Sequence, residues 1–99
     1  MQTINKYAAM VTRKDSTMSD VVVFFAPDGL EQDTYYQMAL AVLNDILLDI
    51  YHDEQRIDDY DDVVAIGTMK DKGLKCGQLY SCSDIDEFCN DCSNVVWRA

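Results

Sequence analysis

Residues 21–29 read VVVFFAPDG, and most of the fold follows from these nine positions. Val21 to Ala26 are β-branched, aromatic or small, the composition of a strand, and no polar residue interrupts them. An unbroken apolar run rather than an alternating one predicts a strand buried on both faces. Pro27-Asp28-Gly29 ends it with turn chemistry, since proline fixes φ and glycine accepts positive φ at no steric cost.

A long helix is expected next, from about Leu30 to about Asp53. Asp28 and Asp33 are candidate N-terminal caps, and Asp28 with Glu31 has capping-box spacing. One face carries Tyr35, Ala39, Val42, Ile46 and Ile50, with Tyr36, Leu40, Leu43, Leu47 and Tyr51 beside it. That stripe is wide enough to lie on a sheet and leave Leu48 or Tyr51 for a partner chain, a homodimer included. Gln37, Asn44, Asp45, Asp49, His52 and Asp53 make the polar face.

On the N-terminal side, Tyr7 to Thr12 alternate as a strand, while Ile4, Tyr7, Ala8 and Val11 also fit a helical stripe. On the C-terminal side, Val63-Val64-Ala65-Ile66 reads as a second buried strand, followed by a basic loop over 70–75. Gly77 to Ser81 predicts a short strand, Ser83 to about Asp91 a short helix started by Ser83 and Asp86, and Asn94-Val95-Val96-Trp97 a last strand, in the core or at an edge. The fold class is therefore α+β, one long amphipathic helix packed on a small antiparallel or mixed sheet, with a short C-terminal helix. At 99 residues, with one proline, four glycines and 48% hydrophobic residues, the chain reads as a single domain over 1–99.

Charge is the most unusual property. Eighteen acids oppose eight bases for a net of −10, and residues 15–69 hold 13 acids against one base, Arg56. DIYHDEQRIDDYDD, residues 49–62, places seven carboxylates in 14 positions. Such a chain is repelled by nucleic acid and by anionic membranes and attracted to basic proteins. A solvated helix face also tolerates acids, so charge alone leaves solubility as the plain explanation; the clustering argues for more. On a continuous helix Asp45, Asp49 and Asp53 form a row spaced at about 6 Å. Three acids at a helix C-terminus oppose the macrodipole, at about 0.3–1 kcal/mol each, which favours a functional reason for them. Glu54, Asp58, Asp59, Asp61 and Asp62 extend the charge past the helix, and Tyr51 and Tyr60 are candidate aromatic anchors.

Calcium binding does not fit. A loop begun at Asp58 or Asp59 lacks glycine at its sixth position, and one begun at Asp62 puts Val64 and Ile66 where ligands belong. The cysteines run Cys76-x5-Cys82-x6-Cys89-x2-Cys92. Cys89 and Cys92 have the spacing of half a zinc site; Cys76 and Cys82 stand too far apart for the usual second half. Free thiols are the leading reading, with Cys89 and Cys92 on the inner face of the short helix, and a structural zinc centre on all four cysteines is the alternative. His52, the single histidine, has no nucleophile elbow or phosphate-cradling glycine loop to work with, so the expectation is a binding protein and not an enzyme. No cofactor is expected besides the alternative zinc.

The longest apolar run is too short to cross a bilayer, and MQTINKYAAMVTRKD lacks the apolar core of a secretory signal. The expectation is a cytoplasmic protein with reduced cysteines that contacts neither membrane nor nucleic acid directly. In size, acidity and lack of catalytic motifs the chain is similar to small inhibitors of nucleases and nucleic-acid-binding proteins, such as phage anti-restriction and anti-CRISPR proteins and nuclease immunity proteins. That likeness of composition implies a nucleic-acid mimic whose partner is a basic nucleic-acid-binding protein or nuclease complex, and it transfers no residue roles.

Overall fold

The computed structural model describes residues 3–15, 19–69, 75–81 and 92–98, the backbone alone at 69 and 92–98. Strands β1 (Ile4–Arg13) and β2 (Ser19–Pro27) lead into helix α1 (Gln32–Tyr51), a 3-10 turn (Arg56–Asp59), and strands β3 (Tyr60–Met69), β4 (Leu79–Ser81) and β5 (Cys92–Arg98). The five strands form one sheet in the order β4-β2-β1-β3-β5, with every neighbouring pair antiparallel. This is the α+β architecture expected, one long helix on an antiparallel sheet. The predicted short helix at 83–91 lies outside the described residues, and no helix among those described is long and apolar enough to cross a membrane.

Alternation along the strands assigns the faces. Tyr7, Ala9 and Val11 of β1 and Val22, Phe24 and Ala26 of β2 meet the helix side chains Tyr35, Ala39, Leu43, Ile46 and Leu47 in the main core. These helix positions recur three and four residues apart, so they form one stripe, and each large apolar side chain buried there contributes about 1.5–3 kcal/mol. Ala8, Val21, Val23 and Ala65 form a second buried cluster on the opposite face, with Met10 and Tyr80 packed against it. Val21, Val22 and Val23 are all fully buried, so β2 is covered on both faces as its unbroken apolarity implied.

The helix is shorter than the sequence predicts, and its start differs. Glu31 occupies the N-cap without a side-chain hydrogen bond. Asp28 is not a cap: its carboxylate accepts Tyr7 Oη–H at 2.5 Å and Asn5 Nδ2–H at 2.7 Å. The Tyr35 hydroxyl donates to Pro27 O at 2.6 Å and accepts from Leu30 N–H at 3.2 Å, fastening the β2–α1 turn to the first turn of the helix. Gly29 sits at φ 82°, as that turn requires. Ile50, assigned by its spacing to the buried stripe, is instead half exposed.

Candidate functional site

The acidic stretch begins on the last turns of α1, where Asp45 and Asp49 are both exposed. The helix then stops at Tyr51 because His52 takes a left-handed conformation, φ 56° and ψ 35°, while its N–H still donates to Leu48 O at 2.9 Å. The expected row of Asp45, Asp49 and Asp53 on one helix is thereby broken. Asp53 lies beyond the helix, and its carboxylate accepts Gln55 N–H at 2.9 Å, starting the next turn.

The 3-10 turn carries Asp58 and Asp59 outward while Ile57 packs against the core, and Lys14 N–H donates to Asp59 O at 2.9 Å. Arg56 pairs loosely with Asp59 at 3.6 Å, and its guanidinium carbon stands 4.4 Å from the centroid of the Tyr51 ring. Tyr51 and Ile50 are 48% and 50% exposed, so an apolar pair sits among the carboxylates.

Tyr60 is not an exposed anchor. It is buried, and its hydroxyl donates to Asp20, which is itself almost wholly buried. Burial first, and the bond to Asp20 second, push the Tyr60 hydroxyl well above the ordinary tyrosine range. The same carboxylate holds Arg13, with Nε at 2.9 Å from Oδ2 and Nη2 at 3.0 Å from Oδ1. In the sequence Arg13 and Asp20 are the two ends of the polar stretch RKDSTMSD, outside the strands expected at Tyr7–Thr12 and Val21–Ala26. The available signal was the opposite charges at the two ends of that stretch.

Asp61 and Asp62 are consecutive strand residues that both face solvent, which regular alternation forbids. The β1–β3 register slips between Met10 and Val11 and again between Val11 and Arg13, so the extra residues of β3 bulge outward. Asp62 is tied down by its backbone, which exchanges hydrogen bonds with the Thr12 hydroxyl at 3.2 Å, and by the Tyr36 hydroxyl, which donates to its carboxylate. That bond, with burial, raises the Tyr36 hydroxyl.

Between the end of β1, the end of α1 and the 3-10 turn lies a cleft of about 130 Å³. Leu47 and Tyr60 line it from the core side, Tyr51, Arg56 and Asp59 from the helix end, and Arg13 and Asp15 from the end of β1.

Two of the four cysteines fall among the described residues. Cys76 is exposed just before β4, and Cys92 opens β5, in a strand and not on a helix face. β4 and β5 are opposite edges of the sheet, four strand spacings of about 4.8 Å apart. Cys82 and Cys89 lie outside the described residues, among which no group of three metal-ligating side chains is gathered. Comparison with protein families, curated proteins and solved structures finds no match to this chain.

Proposed function

We propose that this chain is a small acidic binding protein that inhibits a nucleic-acid-binding protein or nuclease by occupying its basic groove, in the manner of a DNA or RNA mimic. It works by occlusion and not by catalysis. The observation that carries the reading is the exposure of all eight carboxylates from Asp45 to Asp62, with Arg56 the single base in that stretch and the exposed pair Ile50 and Tyr51 within it. A charged rim around an apolar anchor is the usual anatomy of a docking surface. Asp45, Asp49, Asp53, Glu54, Asp58, Asp59, Asp61 and Asp62 supply the charge, and Tyr51 the anchor; Tyr60 supports the surface from beneath.

The test is affinity capture from nuclease-treated host lysate at low and high salt, followed by competition with added DNA or RNA. A retained nucleic-acid-binding protein that salt and nucleic acid both release supports the reading, because attraction across an exposed interface is screened. Lysine at Asp58, Asp59, Asp61 and Asp62 together should abolish that retention; unchanged affinity overturns the assignment. Should capture fail, metal content of the purified protein tests the alternative of a structural zinc protein, since loss of a structural zinc unfolds such domains.

A further inference from the structure

We propose that the cleft beside Tyr51 is a receptor for an arginine side chain of the partner, and that Arg56 is its resting occupant. The inference rests on the reading of the acidic stretch as a docking surface and names what that surface grips. Arg56 stands 4.4 Å from the Tyr51 ring centroid, well inside the range of about 6 Å over which an aromatic face attracts a cation. That face therefore already accepts a guanidinium. Arg56 is held weakly there: its partner Asp59 is 3.6 Å away, and both side chains are about half exposed. Exposed pairs of this kind contribute little, so an incoming cation can displace it.

The charges around the cleft select the sign of the ligand. Arg13 is committed to Asp20 through two nitrogens. Arg56 pairs only loosely with Asp59, and the other carboxylate lining the cleft, Asp15, is in no ion pair among the described residues. An anion would have to draw Arg13 from Asp20 and Arg56 from the ring while meeting Asp15 and Asp59. A cation meets an unmatched carboxylate and an aromatic wall. Planarity favours arginine over lysine, because a guanidinium stacks on the ring while its edge donates to a carboxylate.

Titration of the ¹⁵N-labelled full chain at constant ionic strength, followed by amide shifts, tests this without the partner. The probes are N-acetyl-arginine amide, N-acetyl-lysine amide, uncharged N-acetyl-citrulline amide and inorganic phosphate. Saturable shifts at Leu47, Tyr51, Arg56 and Tyr60 are expected with arginine, weaker ones with lysine, and none with citrulline or phosphate. Arg56→Gln removes the internal competitor and should tighten the arginine probe by about threefold, the scale of one exposed cation–π contact. Tyr51→Leu and the pair Asp15→Asn, Asp59→Asn should weaken it. No saturable shift with arginine, phosphate binding at these amides, or weaker arginine binding in Arg56→Gln overturns the proposal. A failed titration beside intact, salt-sensitive partner capture overturns the cleft alone; a successful titration without capture overturns the docking reading alone.

Discussion

Arg13 grips Asp20 with Nη2 at 2.7 Å from Oδ2, and the two residues differ sharply in exposure, 40% for the arginine side chain and 3% for the aspartate. The pair closes the β1–β2 hairpin at its turn end, and the Tyr60 hydroxyl donates to the same carboxylate from the first residue of β3. One buried charge thus ties together the hairpin and the strand that emerges from the acidic stretch.

Asp20→Asn should destabilise the protein by about 1.5–3 kcal/mol, the usual loss for hydrogen bonds to a buried charge. Tyr60→Phe should cost less, about 1 kcal/mol, because Arg13 still neutralises Asp20. Urea unfolding of both single variants and the double variant checks this. The double variant should lose less than the sum, since the two side chains share one bond.

Alkaline pH should unfold the protein through its tyrosines. Tyr7, Tyr36 and Tyr60 all have hydroxyls raised above their ordinary range, Tyr7 and Tyr60 by burial first and Tyr36 by its bond to Asp62 first. The folded state keeps these protons where the unfolded chain has lost them. Their contribution is complete below the unfolded tyrosine pKa of about 10 and is lost as pH rises through the folded values. The urea midpoint should therefore fall above about pH 10, less steeply in Tyr60→Phe.

Acid should act through Asp28. Hydrogen bonds from Tyr7 first and Asn5 second hold its carboxyl below the ordinary aspartate range. The resulting stability is present above the unfolded aspartate pKa of about 3.9 and disappears as pH falls through the folded value. Asp28→Asn should flatten that part of the pH–stability profile, measured by thermal unfolding.

Asp49 lies in the last turns of a helix that has no base in its final turn. Asp49→Lys should raise stability by about 0.3–1 kcal/mol by matching the helix dipole, while weakening capture of a basic partner. A gain in both stability and partner affinity would contradict the docking role of this residue.

His52 adopts the left-handed conformation that glycine takes without steric cost. His52→Gly should raise stability by about 0.5–1 kcal/mol, a net gain because the greater freedom of glycine in the unfolded chain offsets part of the relief. Thermal unfolding of the variant checks the sign.

The elements themselves were legible because their signals are local. The apolar run at 21–26 marked β2, Pro27 to Gly29 marked the turn, and apolar spacing of three and four residues marked α1 and its buried Tyr35, Ala39, Leu43, Ile46 and Leu47. The exposure of the carboxylates was legible too, since an unpaired charge is costly to bury. Tertiary structure decided the rest. Two slips of register reset the strand alternation of β3, which places Val63 and Ile66 together in the helix-facing core and turns two consecutive aspartates outward. Pairing across the sheet, and not spacing along the chain, brought Tyr60 and Arg13 to Asp20 and set Tyr51, Arg56 and Asp15 around one cleft. Periodicity reports which face of an element a residue occupies; it carries no record of which strand lies alongside, because that contact joins residues far apart in sequence.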